Sequence, residues 1–180
     1  MSEQNNTEPR STQELIDRIL QTRSELKQVF SGLSDAQMIQ PGADGGWSVK
    51  DHLAHLAAWE RGIVALLNRQ PRWPAMGLDE EAVNRSDEDE INAMLDQLNK
   101  GRALADVLAD FEQAHRDMLA VLERLAFDDL LKPYSDYAPG SDSRNPVLGS
   151  IMGNTCDHCT EHRPWVQKVV AHVTGGRRQA

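Results

Sequence analysis

Asn154-Thr-Cys-Asp-His158-Cys-Thr-Glu-His162-Arg-Pro-Trp165 decides how the rest of the chain is read. Side chains four residues apart on a helix lie one above the other. At about 100° per residue, Ile151, Thr155, His158, His162, Val166, Val169 and Val173 share one stripe. Asp157, Glu161 and Lys168 lie on the other side. Both imidazoles therefore belong to the core-facing stripe. One histidine on such a face is ordinary core packing. Two stacked rings bury nitrogens that need partners, and a metal ion is one way to supply them.

Working outward, Pro146 sits at the start of this helix, which the pattern extends to about Thr174, with a bend expected at Pro164. Ser11 and Glu14 form a capping box for a first helix reaching Phe30, with Ile16, Ile19, Leu20, Leu26 and Phe30 as its stripe. Arg23 falls inside that stripe. Ser48 caps a second helix to about Asn68, built on Val49, Leu53, Leu56, Ile63, Val64 and Leu67. His52, His55 and Trp59 flank this stripe, and Glu60 lies near its middle. A third long helix runs from about Ala103 to Leu125 and carries His115. An acidic start at residues 87–90 marks a further helix ending at Gly101, and short turns of helix fit residues 35–38, 128–131 and the acidic end of 69–85. Four long amphipathic segments without strand periodicity predict an all-α four-helix bundle over residues 11–174. Residues 1–10 read as a disordered tail and 175–180 as a second tail.

The chain has 180 residues, 39% hydrophobic and 26% charged, which fits one ordinary globular domain. A net charge of −9 argues against nucleic acid as a partner, because phosphate binding needs clustered Lys and Arg. No apolar run approaches the roughly 20 residues that span a bilayer, and the first residues lack a signal peptide's apolar core, so the expectation is a cytoplasmic protein with no membrane partner. Cys156 and Cys159 are then reduced thiols, read as small core residues. Two histidines on one helix leave a metal short of ligands. His52, His55 and His115 are the candidates for a third, and spacing does not choose between them. Glu60 needs a charged partner, for which Arg23 and Arg163 are the candidates. Trp73, Trp165, Tyr134 and Tyr137 are candidate walls of a pocket.

Trp47-Ser-Val-Lys-Asp-His-Leu-Ala-His55-Leu-Ala-Ala-Trp-Glu60 resembles the second-helix signature of the DinB-like (YfiT-like) superfamily of metal-dependent hydrolases. In that signature Trp-Ser opens the helix, a metal histidine follows eight positions after the Trp, and a Glu five later. His158-x-x-x-His162-Arg163 matches the family's last-helix motif. Pro41-Gly42, Gly46-Trp47, the Asn-Thr ahead of His158 and the long acidic insert are similar to the ClbS/DfsB-like branch. Pro164 and Trp165 depart from the Gly-Gln that many members carry there, a difference on the substrate side of the site.

The resemblance implies an up-up-down-down four-helix bundle, often a homodimer, with His55, His158 and His162 holding a divalent ion such as zinc or nickel. Family members include thiol transferases using low-molecular-weight thiols, a thiol-dependent isomerase, DNA-damage-induced proteins, and resistance proteins that hydrolyse a reactive cyclopropane. The expectation is a metal-dependent enzyme of small electrophiles, either transferring a thiol or hydrolysing the compound, with Glu60 as a group that supports the metal's ligands or as a base. The alternative is a small-molecule-binding or resistance protein with a structural metal site.

Overall fold

The computed structural model describes residues 8–175, so the expectations for residues 1–7 and 176–180 fall outside it. Its helices are α1 (Thr12–Phe30), α2 (Asp35–Met38), α3 (Val49–Leu67), α4 (Arg72–Ala75), α5 (Glu80–Val83), α6 (Glu88–Asn99), α7 (Leu104–Leu122), α8 (Phe127–Leu130), α9 (Val147–Gly153) and α10 (Cys156–Gly175). No strand occurs among the described residues, and none of these helices is long and apolar enough to cross a membrane. The starts follow the predicted caps. Ser11 Oγ accepts the Glu14 N–H, and Ser48 and Asp51 close a reciprocal capping box at α3. Asp87 and Glu90 do the same at α6. Of the expected tail, residue Pro9 is buried and Arg10 donates its backbone N–H to Glu14.

Between the four long helices the core divides into two clusters stacked along the bundle, with a third beneath residues 68–103, and the membership of the first two fixes the helix directions. Leu15 and Ile19 from the start of α1 meet Leu66 at the end of α3, Leu122 at the end of α7, and Cys156 at the start of α10. Leu26 from the end of α1 meets Val49, Val107 and Val173 at the other end. So α1 and α10 run one way while α3 and α7 run the other. Side-chain bonds agree: Thr12 reaches Leu125 O while Lys27 reaches Glu112, an antiparallel relation between α1 and α7. The bundle is two parallel pairs, α1 with α10 and α3 with α7. In chain order the directions are up-down-down-up, matching the expected up-up-down-down only in having two parallel pairs.

Parallel neighbours cannot be joined by a tight turn. At 1.5 Å per residue α3 is about 28 Å long, so the chain must return that distance before starting α7. Residues 68–103, with α4, α5 and α6, make this return, and Met76, Leu78, Val83, Ile91 and Leu95 bury it against Ala58 of α3. Gly62 lets the return sit close. A Cβ there would come within 2.6 Å of Met76 Sδ and 3.3 Å of Arg72 Cγ.

The helix expected to run from Pro146 to Thr174 with its interruption at Pro164 is two helices that part at Asn154. Asn154 leaves the helical region (φ −110°, ψ 5°), and the N–H groups of Asn154 and Thr155 bond three residues back, to Ile151 and Met152. Its own side chain takes the Ser150 carbonyl, the competition with the backbone that makes Asn a helix breaker. The break does not disturb the stripe: Ile151, Thr155, His162, Val166, Val169 and Val173 are all buried, and His158 is half-buried. α10 continues through Pro164.

Candidate metal centre

α3 and α10 lie antiparallel, so histidines descending one helix meet histidines ascending the other. His55 Nε2 is 3.1 Å from His158 Nε2, and His52 Nδ1 is 3.0 Å from His162 Nδ1. The ring centroids of His55, His158 and His162 lie 4.6–5.0 Å apart. One ring nitrogen from each of these three falls within 4.8 Å of the others. Spacing left the third histidine open among His52, His55 and His115, and the fold brings His55 to the pair. His52 stands one ring further out, and His115 lies elsewhere, 3.4 Å from Glu60.

Burial keeps these rings neutral. It lowers His52 and His158 to about 4, while His55 falls to about 3 and His162 to about 2, with the neighbouring rings adding to the shift in the last two. Neutral imidazoles present lone pairs. Nε2 atoms 3.1 Å apart compare with the edge of about 3.3 Å that two nitrogens span around a tetrahedral zinc at 2.0–2.1 Å. The Nδ1 atoms of His55 and His158 are buried and have no protein partner. The donor set suits a borderline divalent ion such as zinc or nickel, for which imidazole is a fitting ligand.

The three rings open onto a cavity of about 430 Å³. Trp47, Trp59 and Trp165 line it, with Glu88 and Asn92 from α6, and Asn154 and Glu161 on the α10 side. Trp47 lies against His52 and His55, with centroids 5.2 and 5.1 Å away. Trp59 donates its Nε1–H to Asn92 Oδ1 (3.3 Å). Arg72 stacks over both Trp59 and Trp73 and donates to Asn154 Oδ1 (3.0 Å). The return between α3 and α7 thus supplies one wall and the α9–α10 break another. Of the four aromatic candidates, Trp165 lines the cavity and Trp73 stands behind Trp59. Tyr134 accepts from Arg72, and Tyr137 packs in the core. Trp47 and Trp59 went unnamed as walls, although Trp59 follows His55 by one helical turn. Nothing in the spacing pointed to Glu88 or Asn92.

A family model of the DinB superfamily matches residues 18–166, most of the chain. The chain belongs to the DinB superfamily. Among curated proteins no sequence match was found. Several solved structures share this DinB fold. The colibactin self-resistance protein ClbS, crystallised with a double-stranded DNA, is 16% identical with a TM-score of 0.66, covering 97% of this chain and 99% of its own. DfsB, described as a sibling lethal factor precursor, is 18% identical at a TM-score of 0.60, covering 96% and 100%. A protein from Streptococcus pneumoniae is 16% identical at 0.71, covering 92% and 93%. At these identities the likeness is one of fold. The charge argument against nucleic acid does not stand as an exclusion, since a protein of this DinB fold has been crystallised with duplex DNA.

Glu60 occupies a second polar cluster in this DinB bundle. Its carboxylate takes Arg23 Nη1 at 3.4 Å and His115 Nδ1 at 3.4 Å. Arg23 also donates to the Phe111 carbonyl, lies over the Phe111 ring, and approaches Glu112 at 3.8 Å. Arg23 is therefore the partner of Glu60, and Arg163 pairs instead with Glu25 of α1. Cys156 and Cys159 are buried, and burial pushes their thiols up to about 11 and about 12.

Proposed function

We propose that this protein is a metal-dependent enzyme of small electrophilic compounds, with His55, His158 and His162 holding a divalent ion, zinc or nickel. One observation carries the reading: three neutral imidazoles, those of His55 and His162 buried and that of His158 half-buried, converge at the floor of an open, tryptophan-lined cavity. Three protein ligands beside open space are the pattern of a catalytic rather than a structural centre. A divalent ion held there lowers the pKa of a thiol or water and so supplies a nucleophile at neutral pH. The chain's own residues do the rest. Trp47, Trp59 and Trp165 give flat apolar faces that hold an unsaturated or aromatic body and displace water. Asn92 and Asn154 offer amide groups for orientation. Glu88 and Glu161 make the lining acidic, which favours a neutral or cationic compound over an anionic one. A cavity of about 430 Å³ suits a small molecule or a segment of a larger one. Glu60, bound to Arg23 and His115, serves to tie α1, α3 and α7 together. The homodimer implied by the family belongs to this reading and is checked by sedimentation.

The test is turnover of a panel of electrophiles, with water alone and with small thiols, by protein stripped of metal and then reloaded. Metal-dependent loss of one electrophile class supports the reading. Stoichiometric, saturable binding with no turnover in any form favours a sequestering or resistance protein. A second reading follows from ClbS, whose crystal carries double-stranded DNA: this chain acts on, or next to, duplex DNA. Its net charge of −9 predicts weak binding, and anisotropy of a labelled duplex across a salt series decides it.

A further inference from the structure

Among the three converging histidines, the second ring nitrogens are not treated alike. Those of His55 and His158 have no protein partner, whereas Nδ1 of His162 faces Nδ1 of His52 at 3.0 Å. An N–H···N bond needs one nitrogen carrying hydrogen and the other bare, and distance alone does not say which is which. The position of His162 does. With Nδ1 turned to His52, Nε2 is the nitrogen left to join His55 and His158. A neutral ring with a bare Nε2 carries its hydrogen on Nδ1, so His162 is the donor and His52 the acceptor. His52 then keeps its own hydrogen on Nε2.

We propose that His52 is a positioning residue for the metal centre: its Nδ1 accepts the Nδ1–H of His162, holding that ring in the tautomer and plane that present Nε2 to a metal ion. The inference rests on the metal-centre reading above and assigns His52 a role distinct from that of a ligand. His52 is itself fixed. It is 6% exposed, lies edge-on to Trp47 with centroids 5.2 Å apart, and stacks on Trp165 at 6.4 Å. His52 lies one turn before His55 on α3, so a single rigid helix sets both the ring that joins the cluster and the ring that orients another member. Hydrogen bonding to the far nitrogen of a ligating histidine fixes its orientation and raises its basicity, and losing such a partner weakens metal binding about 10–100-fold. The cluster of ligand atoms within 4.8 Å is complete without His52, which agrees with an orienting role.

The experiment measures zinc affinity of the full-length protein by competition with a chromophoric chelator, for wild type, His52→Leu, His52→Asn and His162→Ala. An Asn amide oxygen reaches about where the imidazole Nδ1 stands, whereas Leu fills the space and accepts nothing. Wild type binds one zinc, His52→Leu binds it about 10–100-fold more weakly, His52→Asn recovers most of that loss, and His162→Ala has no stoichiometric site. Long-range ¹H–¹⁵N spectra of the zinc-loaded wild type provide a reading independent of any variant's folding, and place the His162 hydrogen on Nδ1. Unchanged affinity in His52→Leu overturns the proposal, as does equal weakening by Leu and Asn, or a His162 ring protonated at Nε2. Complete loss in His52→Leu makes His52 a ligand and overturns it too. A wild type that binds neither zinc nor nickel removes the metal centre itself, and the role of His52 with it.

Discussion

α3 carries two buried polar clusters on two sides, and they solve burial in different ways. On the side toward α1 and α7, Glu60 is matched by Arg23 and His115, and Arg23 in turn by the Phe111 carbonyl. Charge is answered within the protein. On the side toward α10, four imidazoles are held neutral, and the Nδ1 atoms of His55 and His158 have no protein partner. Both clusters border a cavity, of about 420 Å³ beside Arg23 and His115 and about 430 Å³ beside the histidines, and Arg23 Nε also has no protein partner. The difference is that the first pairs its charges and the second gathers neutral rings. A buried charge paired within the protein argues for architecture, and several rings whose lone pairs converge on one point argue for a ligand.

The largest effects should separate the two clusters. His158→Ala should abolish stoichiometric zinc or nickel, read by elemental analysis, while far-ultraviolet dichroism still reports a helical protein. A variant that keeps its metal would break the comparison at its functional end. Glu60→Ala should do the opposite, leaving metal stoichiometry intact while lowering unfolding stability by about 3–5 kcal/mol, because Arg23 is left buried without its carboxylate. A loss under about 0.5 kcal/mol in denaturant titration, the range of ordinary surface changes, would mean that the charge-paired cluster stabilises nothing.

Acid should act on the imidazole cluster. Each of its rings titrates below the ordinary histidine value in the folded protein, so the unfolded chain takes up more protons as pH falls below about 6.5. The stability contributed by neutral rings is fully present above that pH and is lost as pH descends toward about 4, where His52 and His158 titrate. The melting temperature of metal-free protein should fall steadily from pH 7 to pH 5, and less so in a His55→Phe, His158→Phe double variant. Identical profiles would place the titrating groups elsewhere. The smallest effect belongs to the thiols. Burial raises both Cys156 and Cys159, so a Cys156→Ala, Cys159→Ala protein should retain most of any electrophile turnover. Loss of that turnover with metal still bound would move the chemistry to the thiols.

The long helices were legible from their apolar stripes, and α1 and α3 from the Ser11 and Ser48 caps as well. The α1 stripe held at Ile16, Ile19 and Leu26, but Leu20 is exposed and Leu15 takes the buried place instead. Periodicity could not choose a third histidine for a physical reason: fifteen of the 19 residues of α3 are buried, so no face marks the site. The family motif supplied His55. The break at Asn154 was hidden because Ile151 and Thr155 stay in register across it. Helix directions do not show in amphipathic patterns at all. They were readable only in the length of the segment from α3 to α7, which a parallel pair requires. Glu88 and Asn92 reach the cavity through the docking of α6, a tertiary event with no local signature.

That obligatory return has a consequence for how such a protein can change. Its length is dictated by topology, but little in its sequence is, beyond the apolar residues that seat it on α3. The ring nitrogens come from α3 and α10, whose registers are locked by the two core clusters. One wall of the cavity comes from the return, through Glu88, Asn92 and the Arg72–Trp73 corner. Insertions, deletions and substitutions in residues 68–103 can therefore redraw what the cavity admits without moving a single nitrogen. Descendants of one ancestral bundle could diverge in the compounds they meet while keeping the same floor beneath them.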